Sequence, residues 1–183
     1  FLQKAIRDGA PNVKELSENM ARTLIEQIDQ LTKIAGDFSQ FANIGNARLE
    51  RFDVAEVIQS MIYLYSSNSQ VQLNWDKSAV PCMIYADKVQ MNRLFTNLLQ
   101  NAVEAGMEHA GKATIHIGQE IRNDRVIITL RDESGGIPES MKAHMFSPNF
   151  TTKSSGTGLG LAISRGIVEK ANGRISYTTR DGA

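Results

Sequence analysis

Cysteine, tryptophan, proline and long apolar runs are scarce in this sequence, and the scarcities exclude several classes of protein. One cysteine, Cys82, among 183 residues rules out an intrachain disulfide and any cysteine-based zinc cluster, and suits a reducing compartment. No run approaches the roughly 20 apolar residues that a membrane-spanning helix requires. Neither sign of charge is in excess: 20 Lys and Arg balance 20 Asp and Glu, which argues against a general nucleic-acid or membrane-surface binder. The chain opens on Phe1 without initiator methionine, signal peptide or transit peptide. It is therefore expected to be a piece of something longer, with any membrane contact confined to missing upstream segments. What is present is an ordinary globular composition, 42% hydrophobic and 22% charged, which excludes collagen-like, low-complexity and disordered chains. At this length one domain, or one with a small appendage, can bury a core unaided.

Periodicity divides the chain in two. Residues 1–9 read as the last turns of a helix closed by Gly9, and Pro11 breaks it. From Val13 to Ala42 apolar residues recur at steps of three and four (Val13, Leu16, Met20, Leu24, Ile28, Leu31, Ala35, Phe38), the stripe of one long amphipathic bundle helix that must pair with something. After the junction at Gly45-Asn46-Ala47 the pattern turns mixed. Helices are expected over 54–66, 88–106, 139–146 and 157–171, and strands over 71–75, 83–86, 113–121, 126–132 and 174–179. The third and fourth strands should form a hairpin across Asn123-Asp124. Strands in pairs, rather than strict strand–helix alternation, favour an α+β two-layer sandwich over a doubly wound fold. The domains are thus 1–45, a helical segment, and 46–183, the α+β unit.

Three stretches carry chemistry. In Asn97–Ala105 the residues Asn97, Asn101 and Glu104 fall at steps of four and three, one polar stripe beside the core face. An amide oxygen suits one position on a Mg²⁺ that keeps waters and phosphates as its other ligands; a solvated helix flank is the plainer alternative. Asp132-Glu133-Ser134-Gly135-Gly136-Ile137 follows an alternating strand. A buried acid there could accept from the exocyclic amine of adenine; taken alone, a simple turn is the plainer reading. Gly156-Thr157-Gly158-Leu159-Gly160 leads straight into a helix, where glycines allow close approach and the helix start offers free N–H groups to phosphate. It is neither a P-loop nor a dinucleotide fingerprint. Thr151, Thr152 and Lys153 just upstream add hydroxyls and a cation.

In their order and spacing these stretches resemble the ATP-binding domain of sensor histidine kinases, in the GHKL superfamily that also holds gyrase, MutL and a heat-shock chaperone. Asn97–Ala105 is similar to the N box, Asp132–Ile137 to the G1 box, Phe146–Phe150 to the F box and Gly156–Leu161 to the G2 box. The run from Asn149 to Leu161 looks most like the nitrogen-regulation type. Residues 1–45 resemble the second part of the dimerisation and histidine-phosphotransfer hairpin. The resemblance implies a Bergerat-type fold, a mixed, mostly antiparallel sheet packed on helices, preceded by a long helical-hairpin segment. It also implies ATP and Mg²⁺ as cofactors and a transfer of the γ-phosphate to a histidine, then to an aspartate of a response-regulator receiver domain. By the same resemblance Asp132 would bind the adenine amine, with Gly136 and Ile137 shaping its pocket. Asn101 would hold Mg²⁺ and Asn97 would sit by the phosphates. Thr152, Gly156, Thr157, Gly158, Leu159 and Gly160 would form the lid and phosphate cradle, and Lys153 would neutralise the β/γ end. Homodimerisation through the hairpin, no nucleic-acid partner, and a cytoplasmic location as part of a bacterial sensor complete the expectation.

Gyrase-like relatives place a Glu where this chain has Asn97, and an amide cannot take a proton from water. That favours transfer to a protein nucleophile over an ATPase clamp; a non-catalytic scaffold is the other alternative. The chain departs from the family pattern at three points. Ser134 stands where the G1 box usually has its first Gly. His109, His116 and His144 all lie outside the acceptor context, so the acceptor histidine is expected upstream of Phe1. The family's last strand is expected beyond Ala183.

Overall fold

The computed structural model describes residues 7, 12–153 and 156–179. Helix α1 (Val13–Asn43) follows the apolar repeat for 31 residues and ends in a 3₁₀ turn, Ile44–Asn46. None of its residues is buried. Its stripe faces outward, with Leu24 59%, Ile28 59%, Leu31 64% and Phe38 67% exposed. Of the helix expected over residues 1–9, only Arg7 is described, and it is helical.

The α+β unit is built on two aspartate caps. β1 (Glu50–Asp53) pairs antiparallel with β3 (Met83–Ala86), Arg51 opposite Tyr85 and Phe52 opposite Ile84. Asp53 Oδ1 then caps α2 (Val54–Tyr65) by accepting from Ala55 N at 3.0 Å, and accepts from Cys82 N at 3.1 Å as well. Asp87 repeats the device for α3 (Lys88–Ala110), with Oδ1 accepting from Gln90 N at 2.9 Å and Oδ2 from Arg48 N at 2.7 Å. A side-chain acceptor at a helix start satisfies an orphan N–H; here each cap also ties a distant loop residue to its helix.

The second sheet has the order β2-β4-β5. β2 (Val71–Asp76) runs parallel to β4 (Ala113–Arg122), and β4 turns back antiparallel into β5 (Arg125–Asp132). Asn123 (φ 50°) and Asp124 (φ 59°) make the expected two-residue hairpin turn in left-handed backbone. Alternate β4 residues Ala113, Ile115, Ile117 and Gln119 are buried. They meet α2, α3 and α5 (Gly160–Lys170) in a core of Phe52, Val57, Ile58, Leu94, Phe95, Leu99, Ile163 and Ile167. Helices therefore lie on one face of a mixed sheet, the two-layer α+β arrangement.

Local geometry corrects three boundaries and removes one expected strand. α3 passes through Gly106 to Ala110 because Gly106 is a packing glycine: a Cβ there would lie 2.8 Å from Ala113 Cα. It stops at left-handed Gly111, φ 66°. α5 begins at Gly160, not Thr157, since Gly158 has φ 67° and no right-handed helix accommodates that. The helix expected over 139–146 is only α4 (Glu139–Lys142), followed by tighter turns in which His144 N donates to Met141 O and Ser147 N to His144 O. Residues 174–179 form no strand. There Tyr177 Oη donates to Lys142 O at 2.9 Å and Thr179 Oγ1 accepts from Ile137 N at 3.2 Å, contacts to loops in place of a backbone ladder.

Candidate active site

A cavity of about 450 Å³ opens between α3, residues 150–153 and 156–158 and the start of α5, with α1 closing one side. Core packing of Leu99 and Ala102 on α3 turns the neighbouring stripe of Asn97, Asn101 and Glu104 toward it, as the helical spacing requires. Asn97 Nδ2 donates to Gly160 O at 3.4 Å and so joins the two helices that flank the cavity. Asn101 Oδ1 accepts from Lys153 Nζ at 3.0 Å. The same ammonium donates to Glu104 Oε2, and Gln100 Nε2 donates to Glu104 Oε1 at 2.9 Å.

The glycine-rich run supplies the opposite wall. A Cβ on Gly158 would lie 2.5 Å from Asn149 C and 2.7 Å from Phe150 N, so only glycine lets the Asn149–Phe150 backbone pass there. A Cβ on Gly156 would strike Thr151 Oγ1. A Cβ on Gly160 would meet nothing nearer than Asn97 Cγ at 3.9 Å. Backbone that approaches without side chains, next to a helix N-terminus, is the arrangement that cradles phosphate.

Charge in the cavity is mixed. Burial by itself would raise the Glu104 carboxyl. The hydrogen bonds from Lys153 and Gln100 and the positive charges of Lys153 and Lys33 outweigh burial and hold the carboxyl below the ordinary value. Of the two carboxylates that line the cavity, Glu104 is thus occupied by two donors, and Asp37 on α1 accepts from Thr157 Oγ1 at 2.5 Å.

The structure brings Asn97, Asn101, Ile137, Thr152, Lys153, Gly156, Thr157, Gly158 and Gly160 to this one cavity. Three expected residues fall elsewhere. Leu159 packs against the core. Gly136 (φ 79°) lines an adjacent hollow of about 650 Å³ with Ala105, His109, Ser134 and Thr179, and Ile137 borders both spaces. Asp132 is exposed, not buried, and lines neither; its Oδ1 accepts from Ser134 N at 3.0 Å in a local turn. Sequence reasoning missed Gln100, Glu104, Lys33 and Asp37 as cavity residues. Glu104 had a signal, its place on the stripe of Asn97 and Asn101. Lys33 and Asp37 had none, because only the docking of α1 brings them there. Among the described residues no group of three or more His, Cys, Asp and Glu side chains is placed to hold a metal ion, and no helix is long and apolar enough to cross a membrane.

Comparisons with known proteins agree with this geometry. The pattern of the family "Histidine kinase-, DNA gyrase B-, and HSP90-like ATPase" matches residues 86–183, more than half of the chain. The sensor histidine kinase ZraS of Salmonella typhi is 29% identical over 169 residues, 91% of this chain but 36% of that protein, so the chain spans about a third of its relative. The nucleotide-free catalytic domain of histidine kinase ThkA superposes with a TM-score of 0.59 at 30% identity, over 67% of this chain and 82% of that one. A further structure holds ThkA in complex with the response regulator TrrA, with a TM-score of 0.54 at 23% identity over 93% of this chain and 60% of that one. Acinetobacter baumannii histidine kinase AdeS shares the fold over 98% of this chain and 85% of its own, with a TM-score of 0.70 at 21% identity. The chain belongs to the histidine kinase-, DNA gyrase B- and HSP90-like ATPase family, as an ATP-binding domain of the sensor-histidine-kinase type.

Proposed function

We propose that the chain is the ATP-binding catalytic portion of a two-component sensor kinase, passing the γ-phosphate of ATP to a histidine that lies outside it. The observation that carries this reading is the single cavity that Asn97, Asn101 and the glycine-rich run line together, with the Lys153 ammonium donating to Asn101 Oδ1. The donor set fits a magnesium nucleotide. Lys153 already sets a positive charge against the Asn101 oxygen, the position through which Mg²⁺ would be held, and Gly158 leaves backbone bare where phosphates would lie. When bound, Mg²⁺ supplies charge neutralisation along the phosphates.

The chain's own groups bind and orient. Gly156, Gly158 and Gly160 admit the phosphates, and Lys153 neutralises their far end. Asn97 holds α5 in place through Gly160 O and offers no base. Glu104, kept ionised and engaged by two donors, is a weak base. Positioning without a water-activating base suits transfer to a protein nucleophile better than hydrolysis. Asp132 is proposed as the adenine contact through an oxygen that its local turn leaves for a ligand. The exposed stripe of α1 supports pairing of two copies through the helical segment 1–45 in the full protein, with 46–183 as the catalytic domain. A response-regulator receiver domain is proposed as the onward acceptor and the cytoplasm as the location.

Calorimetric titration with Mg-ATP tests the reading directly: the chain should bind, Asn101→Ala should abolish binding, and Asp132→Asn should weaken it at least tenfold, about 1.4 kcal/mol. With γ-labelled ATP the chain alone should gain no acid-labile label, because His109, His116 and His144 do not line the cavity. A separately supplied dimeric hairpin bearing an acceptor histidine should become labelled. Failure to bind nucleotide, or self-labelling, would refute the proposal.

A further inference from the structure

Glu104 had no expected role, yet it organises the cation side of the cavity. Both of its oxygens are used, Oε1 by Gln100 Nε2 at 2.9 Å and Oε2 by the Lys153 ammonium, which also reaches Asn101 Oδ1 at 3.0 Å. One lid cation is thus shared between a charged and a neutral oxygen on successive turns of α3. Lys33 on α1 lines the same space. The side chains of Lys153 and Glu104 are 39% and 41% exposed, so water can reach the pair and the ammonium can leave without crossing a packed core.

We propose that Glu104 is a positioning residue for Lys153 and the source of a cation exchange: it parks the ammonium against Asn101 while no triphosphate is present, and gives it up to the terminal phosphate only when a divalent cation takes its place beside Asn101. The reasoning is electrostatic. A triphosphate without metal would draw Lys153 away and leave the Glu104 carboxylate bare beside several phosphate charges, which is repulsive at short range. A metal–triphosphate brings its own positive charge to the vacated position, so the carboxylate stays compensated. Glu104 therefore makes binding depend on the metal more strongly than the phosphate contacts alone would. The proposal rests on the nucleotide reading above.

The experiment measures the dissociation constant for ATP by calorimetry in excess Mg²⁺ and again in excess EDTA, for the native chain and two variants. Glu104→Gln keeps the shape and the Gln100 contact but removes the charge. It should tighten metal-free binding about fivefold while changing the Mg²⁺ value by less than twofold, so the ratio of the two constants falls. Lys153→Gln should move the ratio the other way, since Glu104 then stands uncompensated. Thermal unfolding without ligand establishes that both variants fold, and the opposite signs separate a charge effect from a general loosening of the site. A ratio in Glu104→Gln within twofold of native, or both variants moving it in one direction, would overturn the proposal. A native chain that binds ATP under neither condition would instead overturn the nucleotide reading.

Discussion

Gly158→Ala is the sharpest test of the phosphate cradle. The residue sits at φ 67°, where an alanine costs roughly 1–2 kcal/mol more than glycine. Its new Cβ would lie 2.5 Å from Asn149 C, 2.7 Å from Phe150 N and 2.8 Å from Asn149 Cα, all backbone, so no side chain can swing aside. Displacing that backbone adds about 1–2 kcal/mol, the scale of overpacking a tight site. The total of about 2–4 kcal/mol is capped by what it costs the lid simply to come away. If the segment holds, the melting temperature falls by roughly 4–16 °C for a chain this long; if it lifts, the melting temperature stays and nucleotide affinity carries the loss, about thirtyfold or more. Gly160→Ala is the internal control. Its Cβ would meet nothing nearer than Asn97 Cγ at 3.9 Å, and at the first residue of α5 alanine is a better helix former, so stability should hold or rise slightly. Differential scanning calorimetry and nucleotide titration on the two variants decide the matter. A Gly158→Ala protein that melts like the native chain and binds nucleotide within twofold of it would refute the reasoning.

Two further outcomes concern the frame and the cavity charge. Asp53→Ala removes the α2 cap and leaves the Cys82 N–H without its acceptor, which should destabilise by about 2 kcal/mol and lower the melting temperature by roughly 4–8 °C; equal melting curves would remove Asp53 from that role. Glu104 has a depressed folded-state pKa, so the stability it contributes is present above the ordinary carboxylate value and is lost as pH falls through its lower folded value. An NMR titration should place its midpoint below the usual glutamate range, and Lys153→Gln should move that midpoint upward, because burial then opposes ionisation with only Gln100 and the charge of Lys33 against it; an unmoved midpoint would contradict the assigned cause.

Local rules were legible wherever the deciding neighbours are close in sequence. The α1 stripe, the strand pair hairpinned across Asn123-Asp124 and the shared face of Asn97, Asn101 and Glu104 follow from helix and strand periods and from turn chemistry, and the structure keeps each of them. Errors arose where a residue's state depends on what it meets. Gly106 reads as a helix end but is a packing contact with β4. Residues 174–179 have strand-like composition, but Tyr177 and Thr179 spend their side chains on loop atoms. The burial expected of Asp132 at the end of its strand also fails: the residue is exposed, and its Oδ1 accepts from Ser134 N two residues later.

By itself the sequence determined the elements and the donor types: which helices form, which stripe of α3 is polar, and where backbone is bare of side chains. These depend on periodicity and on glycine's freedom, both properties of short segments. Only the tertiary structure decided that the lid ammonium rests on Asn101 and Glu104, that α1 brings Lys33 and Asp37 to the cavity wall, and that Asp132 stays outside it. Those outcomes depend on how distant segments dock, where burial, charge and hydrogen bonding are settled jointly and no local pattern records the result.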